Sequence, residues 1–360
     1  MYHLVLVLTL SASAAFLLLC LCLYRRRLGR YVKTFDDEES TQTASVSCRD
    51  DKHVDLEELV IFQGGEDLTI SDILDAPGEV IGKSNYGTLY RALLQGSDTV
   101  RLLRYLRPAC AARGEEFAAV IRSLGQVSHP NLVPLLGFYN GPQGEKLLVH
   151  PFYPRGNLAG FIRDGSNDSH RWATLYKISV GIARGLDHLH TGIAKPLVHG
   201  NLKSKNILLD HYHQPYISDF ALYTVMNPTT AQEMMEASEA GGYKAPELIK
   251  MREATPASDV YSYGIILLEM LTGKEAAKGK SHNVGRNFLP NYVNGAILSH
   301  RVSEVYHPDI LLSIRGTESV QGKEGKIVKM FQLALSCCSP SPALRPNIKQ
   351  VLWKLEAIWK

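Results

Sequence analysis

The sequence predicts an α+β protein of two lobes, a small β-rich lobe and a larger α-helical lobe, preceded by one apolar helix. Between residues 79 and 152 the chain shows short apolar runs separated by turn residues, which predict strands at 79–81, 88–92, 99–103, 132–137 and 146–152. Beyond Asn157, apolar residues recur every three or four positions and predict a long helix from Trp172, with further helices at 258–271, 326–337 and 348–359. We place the small lobe at 73–153 and the large lobe at 154–360, with a Gly- and Pro-containing crossover between them.

Bulk composition narrows the class of protein. The 360 residues suffice for one large or two modest domains plus a tail. The apolar content of 45% and charged content of 21% are typical of a globular chain with a buried core. A formal net charge of +3 is too small to indicate a nucleic-acid partner. None of the six cysteines shows C-x-x-C spacing, which disfavours a zinc site or a disulfide framework.

Residues 4–24 predict a transmembrane helix, because they form an uncharged apolar run close to the ~20 residues that cross a bilayer. Basic residues 25–27 follow this run instead of preceding it, which favours an anchor over a cleaved signal peptide. The same basic residues place the stub 1–3 outside and everything after Arg25 in the cytoplasm. Residues 25–72 are mostly polar and rich in Ser and Thr, and predict a disordered juxtamembrane linker.

The motif His199-Gly-Asn-Leu-Lys-Ser-Lys-Asn206 resembles the catalytic loop of protein kinases, H-R-D-L-x-x-x-N. Asn201 stands where kinases have the Asp that accepts or orients the substrate hydroxyl proton. A carboxamide has no basic lone pair near neutral pH. The chain retains Lys203 but lacks the base, so we expect no functional catalytic residue.

A degenerate nucleotide site is implied by the same resemblance. Gly82, Ser84 and Gly87 lie where kinases have G-x-G-x-x-G, with Ser84 in place of the middle glycine. The favoured register puts Leu103 at the phosphate-binding Lys and Val120 at the Glu that pairs with it. Losing both charges together avoids a buried charge without a partner, and Leu103 and Val120 are then expected to pack against each other. The alternative is a register displaced by one residue, with Arg104 and Glu116 at these positions.

Further motifs complete the resemblance. Ser218-Asp219-Phe220-Ala221 resembles D-F-G, so Asp219 and Asn206 are candidate ligands of Mg²⁺, although isolated loop Asp and Asn residues are usually turn formers. Gly242-Tyr-Lys-Ala-Pro-Glu247 resembles the A-P-E end of an activation segment. The resemblance implies that two residues line the nucleotide site and that four fix the large lobe. These are His150 and Tyr153, and His199, Glu247, Asp259 and Arg345. Arg345, in Ala343-Leu-Arg-Pro346, resembles the late Arg of kinases that pairs with the A-P-E Glu, here Glu247.

Together the motifs cover about Ile73 to Ile358, and the chain resembles plant leucine-rich-repeat receptor-like kinases, as in Asn131-Leu-Val-Pro-Leu-Leu-Gly-Phe138. The resemblance implies a catalytically silent member without a repeat ectodomain, anchored once in the plasma membrane. Its expected partners are other receptor-like kinases or cytoplasmic signalling proteins, and no cofactor is required beyond weak ATP and Mg²⁺ binding. The rival interpretation is an active or weakly active Ser/Thr kinase that uses ATP and Mg²⁺.

Overall fold

The computed structural model describes residues 57–112, 114–164, 168–240, 242–249, 251, 253–276, 288–314 and 319–360. The stub at 1–3, the predicted transmembrane helix at 4–24 and residues 25–56 of the predicted linker lie outside these ranges. Within the described ranges, no helix combines the length and the apolar character needed to cross a bilayer.

The small lobe is built on a six-stranded antiparallel sheet in the order β1-β5-β6-β4-β3-β2. Its elements are β1 (Glu58–Ile61), α1 (Ile70–Asp75), β2 (Gly78–Lys83), β3 (Gly87–Leu94), β4 (Thr99–Leu106), α2 (Gly114–Gly125), β5 (Gly137–Asn140) and β6 (Lys146–Pro151). The strands predicted between 79 and 103 and from 146 are confirmed. The strand predicted at Leu132–Gly137 is wrong, because those apolar residues are buried in the loop before β5.

Residues 57–72, which the sequence assigned to a disordered linker, belong to the small lobe. Strand β1 pairs with β5 from Glu58↔Asn140 to Ile61↔Gly137. Helix α1 is capped by Thr69, whose side chain accepts a hydrogen bond from the backbone N–H of Asp72. Apolar residues of this segment, such as Leu59 and Leu68, pack in the small lobe, but acidic and other polar residues surround them. The average polarity of the segment therefore hid its contribution to the sheet.

The two faces of the sheet serve different purposes, because side chains alternate along each strand. One face packs against α1 in a small apolar cluster formed by Leu68, Ile73, Ala92, Leu94, Leu103, Leu136 and Val149. On the other face, Leu148 and Phe138 join the main core together with Phe117 and Ile121 of α2. The part of this second face that lies beyond the core forms the roof of the cleft between the lobes.

The large lobe is mainly helical. Its elements are α3 (Leu158–Arg163), α4 (Trp172–Asp187), β7 (Ile207–Leu209), β8 (Pro215–Ile217), α5 (Pro228–Ala240), α6 (Pro256–Thr272), α7 (Leu289–Leu298), α8 (Pro308–Ser313), α9 (Val320–Cys337) and α10 (Ile348–Trp359). The long helix predicted from Trp172 and those predicted at 258–271, 326–337 and 348–359 are confirmed. The predicted two-lobe α+β organisation is therefore present.

Helix α6 is the centre of the large lobe, and every residue from Ser258 to Thr272 is buried. Its start is fixed by a capping box, in which Thr255 and Ser258 each bind the other's backbone N–H through a side-chain oxygen. Its end is Gly273, which has a φ of 66° that glycine adopts without strain. The capping box and Gly273 fix the two ends of α6. Asp259, in its first turn, therefore lies below the loop that contains Asn201.

Candidate functional site

The interlobe cleft is a cavity of about 800 Å³ between the β2–β3 hairpin above and the His199–Asn206 loop below. Of the residues predicted to bind nucleotide, Gly82, Ser84, Gly87, His150 and Tyr153 line it. Leu103, the sixth, does not. The described structure therefore brings together most of the predicted site, with one correction.

The glycine-rich hairpin is closed by its own residues. The backbone N–H of Ser84 donates to the carbonyl of Gly87 at 2.9 Å, and the Ser84 hydroxyl donates to the same oxygen at 3.1 Å. A Cβ atom at Gly87 would lie 2.3 Å from the carbonyl oxygen of Tyr105, so the close pairing of β3 with β4 requires glycine there. A Cβ atom at Gly82 meets no such obstacle. The serine in the middle of the motif thus stabilises the turn.

The register predicted for β4 is wrong by one residue. Leu103 lies on the outer face of the sheet, opposite Tyr90 and Val149, and packs in the small apolar cluster. Arg104 is the residue that reaches into the cleft. Leu102 and Leu103 are both apolar, so the alternation of the strand could not be read from the sequence. The alternative placement of Arg104 at the phosphate-binding position is the one the structure has.

The predicted contact between Leu103 and Val120 is also absent. Val120 packs against the main core from α2, whereas Leu103 belongs to the cluster on the opposite face of the sheet. Position 120 still offers no carboxylate to the cleft. The positive charge of Arg104 is balanced by a different carboxylate, that of Asp219.

Arg104 forms an ion pair with Asp219 across the cleft, with Nη2 and Oδ1 2.7 Å apart. The two side chains are only 12% and 9% exposed. Burial opposes the charge on Arg104, but Asp219 and the neighbouring Tyr86 hydroxyl outweigh it and raise the pKa of the guanidinium. Tyr86 interacts with both Ser84 and Arg104, and burial raises its own pKa. A polar chain thus joins the hairpin above to the D-F-G-like segment below.

This pair makes a testable contribution to stability. Asp219→Ala should lower the free energy of unfolding by about 3 kcal/mol, because the buried charge of Arg104 loses its partner. The double variant Arg104→Leu/Asp219→Ala should cost less than the sum of the two single changes, since no charge is left behind. Urea unfolding of the protein measures all three values. Simple additivity would show that the two side chains are not coupled.

The loop at His199–Asn206 keeps the conformation that a catalytic residue would need. Asp259 accepts hydrogen bonds from the backbone N–H groups of His199 at 2.7 Å and Gly200 at 2.9 Å, and from His190 Nε2 at 2.9 Å. Burial lowers the pKa of His199. Asn201 is buried, and its Oδ1 has no hydrogen-bond partner among the described residues. The support for the loop is present, and the carboxylate it would position is not.

The candidate metal ligands lie in the cleft but do not fit a divalent cation. Asn206 donates through Nδ2 to the carbonyl of Asn201 at 3.0 Å, leaving one neutral oxygen as a ligand atom. Asp219 already holds the guanidinium of Arg104. Lys203 also lines the cleft, and its pKa is lowered by burial although Asp219 opposes the shift. Within the described ranges, no group of three or more His, Cys, Asp or Glu side chains could hold a metal ion.

His150 and Tyr153, both predicted to bind nucleotide, line the cleft as well. The Nδ1 atom of His150 lies 2.9 Å from the carbonyl of Pro134 and must carry the proton, because a carbonyl only accepts. Burial lowers the pKa of His150 to about 4, so the imidazole is neutral at physiological pH. Tyr153 packs on Tyr216 with ring centres 4.5 Å apart, and burial raises its pKa.

The activation segment contains a helix that sequence reasoning missed. Asn227 caps α5 by accepting from the backbone N–H of Thr230 at 2.8 Å, and Pro228 opens the helix. The same Asn227 donates through Nδ2 to the carbonyl of Ala109 at 2.7 Å, and Ala111 bridges to Met226. The Asn-Pro pair followed by strong helix formers was the available signal. The start of the segment is thus tied to the small lobe.

The end of the activation segment is fixed by the predicted pair of Glu247 and Arg345. The guanidinium donates to both carboxylate oxygens, at 2.6 and 2.7 Å, and the side chains are 11% and 1% exposed. A second buried network was not predicted. Tyr243 donates to Glu269 at 2.7 Å, so the neighbouring Ser204 hydroxyl, 2.8 Å away, must donate to Tyr243. Burial raises the pKa of Glu269.

Comparison with known families identifies most of the described chain. Residues 76–355 match the family described as protein tyrosine and serine/threonine kinase. The chain is 40% identical over 302 residues to the Arabidopsis thaliana kinase-like protein TMKL1, covering 83% of this chain and 44% of that protein. It is 35% identical over 306 residues to an Arabidopsis thaliana protein named "Probable inactive receptor kinase", covering 83% and 46%. The chain spans less than half the length of these two relatives.

Two solved structures share the fold. The kinase domain of maize SIRK1 bound to AMP-PNP matches with a TM-score of 0.73 at 30% identity, over 84% of this chain and all of that domain. The pseudokinase domain of BIR2, described as an immune regulator, matches with a TM-score of 0.68 at 30% identity, over 85% of this chain and 91% of that domain. The bilobal protein-kinase fold is confirmed. Because a nucleotide-bound kinase domain and a pseudokinase domain both share it, the fold does not decide the activity.

Proposed function

This chain belongs to the protein tyrosine and serine/threonine kinase family, and we propose that it is a receptor-like pseudokinase that signals by binding other proteins. Its partners are active receptor-like kinases or cytoplasmic signalling proteins, and it needs no cofactor for this role. Some relatives are named as receptor-like kinases and others as probable inactive receptor kinases, which supports the proposal.

The observation that carries the proposal is the carboxamide at position 201. Asp259 supports the loop from below through two backbone hydrogen bonds, so residue 201 occupies a fixed place beside the cleft. A carboxylate there could take the proton of an attacking hydroxyl. Asn201 cannot, and its buried Oδ1 makes no hydrogen bond within the described residues. The frame of the catalytic loop survives without its base.

The activation segment supports a binding role. Helix α5 packs one face, including Thr230 and Met234, against the rest of the protein, while Glu233 and Glu236 on the other face are exposed. Glu247 and Arg345 fix the end of the same segment. The activation segment therefore presents a surface of fixed shape instead of an open groove. A partner protein can recognise such a surface.

Attachment to a membrane is part of the proposal. Residues 4–24 would span the plasma membrane once, with the basic residues 25–27 on the cytoplasmic side. The kinase-like domain would then lie in the cytoplasm beside the membrane. This places it within reach of the cytoplasmic domains of other receptor-like kinases.

The rival function is that of an active or weakly active Ser/Thr kinase. Lys203, Asn206 and Asp219 all line one cleft, and a related domain has been solved with AMP-PNP. Against it, Asp219 is paired with Arg104. Binding and catalysis are separable by mutation, because the residues that fix the activation segment are distant in sequence from position 201.

Complementation of a strain that lacks the gene tests the proposal. Asn201→Ala should restore the normal phenotype, because a binding role does not use that amide. Arg345→Ala should fail, because the activation segment loses its support. Arg122→Ala, which removes an exposed surface charge, is the control. Immunoblots of each strain should show equal protein levels, or else identify a variant that is lost because it is unstable. Failure of Asn201→Ala together with rescue by Arg345→Ala would place the function in the remnant catalytic site.

A further inference from the structure

The interlobe cleft carries an excess of positive charge. Among the residues that line it, five are basic and one is acidic. The basic residues are Lys83, Arg91, Arg104, Lys203 and Lys205, and the acidic residue is Asp219. Asn201 and Val120 remove two carboxylates that a kinase would place at the phosphate end. The cleft therefore attracts anions by its own residues.

A cation already occupies the position next to Asp219. The guanidinium of Arg104 is 2.7 Å from the Asp219 carboxylate, and both side chains are at least seven-eighths buried. It is held on one side by strand β4 and on the other by the Tyr86 hydroxyl. A divalent cation would have to displace this guanidinium and remain beside Lys203. The residues present do not fit Mg²⁺.

The same arrangement suits a polyphosphate. Arg104 lines the cleft and binds Asp219 through Nη2, and a guanidinium carries five N–H donors, so further donors remain for a phosphate. Lys203 and Lys205 lie on the opposite wall. Guanidinium and ammonium groups are the usual protein ligands of phosphate oxygens. These basic side chains thus supply the positive charge that Mg²⁺ would otherwise bring to the phosphates.

Away from these charged groups, the cleft is lined by apolar side chains. Ile81, Leu89 and Leu102 line the roof, Leu208 lines the floor, and Phe152 closes the edge with Arg91 stacked 5.2 Å from its ring centre. Apolar walls next to a few charged groups are the general pattern of small-molecule sites. A ligand with both an aromatic ring and a polyphosphate matches both ends.

We propose that this cleft binds a nucleoside triphosphate without a divalent cation, with the Arg104–Asp219 ion pair in the place of the metal. This goes beyond the role as a binding protein and does not depend on it. The metal-free ligand is the better one here, because Mg²⁺ cancels two of the negative charges that the basic side chains attract.

Calorimetric titration of the full-length protein in detergent tests the proposal. ATP should bind in EDTA between about 2-fold and 10-fold tighter than in excess Mg²⁺, the range expected for two partly screened charges. Adenosine and inorganic tripolyphosphate, each titrated alone in EDTA, should bind more weakly than ATP. Tighter binding with Mg²⁺, or no binding of ATP in either buffer, would overturn the proposal. Tripolyphosphate as tight as ATP would overturn the assignment of a nucleoside.

The variant Arg104→Gln gives the most specific signature. It removes a phosphate ligand and frees Asp219, so ATP affinity in EDTA should fall about tenfold or more, and added Mg²⁺ should now strengthen binding. Lys203→Gln also loses affinity but should keep the preference for metal-free ATP, because Asp219 stays paired. Arg122→Gln, at an exposed site on α2, is the matched control.

Two readouts keep this test independent of folding and of the proposed function. Thermal melts of each variant without ligand identify any that fail to fold, in which case Lys203→Gln provides the comparison. An unchanged metal preference in folded Arg104→Gln would contradict the role of the ion pair. Absence of phosphotransfer would still hold if nucleotide binding failed, because it rests on Asn201. The two ideas can therefore fail separately.

Discussion

Arg345→Ala should lower the free energy of unfolding by about 3–5 kcal/mol, the usual effect of breaking a buried ion pair. The guanidinium is 1% exposed and donates to both oxygens of Glu247. It also donates to the carbonyls of Ser339 and Ala257. Truncation leaves a carboxylate and two carbonyls without their partner. Urea unfolding of the protein measures the change.

A matched control lies in the small lobe. Arg122 pairs with Glu58 at 3.3 Å, but the two side chains are 53% and 49% exposed, so Arg122→Ala should cost no more than about 1 kcal/mol. Arg345→Lys should give an intermediate loss, because an ammonium cannot make the paired contacts of the guanidinium fork. Equal losses for Arg345→Ala and Arg122→Ala would show that the buried pair does not hold the activation segment.

Restoring the missing base should recover only part of the phosphotransfer activity. General base catalysis typically supplies about 10²–10⁴-fold in rate, and we expect Asn201→Asp alone to raise the rate by less than this. The reason is that Arg104 remains paired with Asp219. Val120 has no carboxylate that could pair with Arg104 instead. Base and metal site are both lost, so both must be rebuilt.

The triple variant Asn201→Asp/Arg104→Lys/Val120→Glu should be faster than Asn201→Asp alone. A Lys at 104 can pair with a Glu at 120 and leave Asp219 to Mg²⁺, as in active kinases. Adding Asp219→Asn to the triple variant is the control and should remove the gained activity. Radiolabelled phosphate transfer to a generic substrate measures each rate. A single variant as fast as the triple would show that Arg104 does not block the metal site.

Helices and paired motifs were the parts of the fold that the sequence could predict. The apolar spacing from Trp172 onward follows one helix face, and helix α10 begins and ends at the predicted residues. The Glu247–Arg345 pair followed from two motifs that recur together. In each case the prediction rested either on residues that are close in sequence or on charged residues within recognisable motifs.

The features that the sequence could not predict depend on long-range packing. The run Leu102-Leu103-Arg104 has two apolar residues in succession, and only pairing with β3 and β6 decides which side chain faces the cleft. The Arg104–Asp219 pair joins residues 115 positions apart. Strand β1 was hidden by the polar residues that surround it and is fixed by pairing with β5. Sequence reasoning therefore found the missing base but not the cation beside the metal ligand.

Phosphotransfer by the unmodified protein is the most direct test of the central claim, that this kinase fold lacks kinase chemistry. The protein should be incubated with labelled ATP, Mg²⁺ or Mn²⁺ and a generic Ser/Thr substrate, beside the variant Asp219→Asn. We predict no incorporation by the wild-type protein above that of Asp219→Asn, because Asn201 offers no base and Arg104 occupies Asp219. Robust incorporation by the wild-type protein that disappears in Asp219→Asn would contradict the account and identify an active kinase.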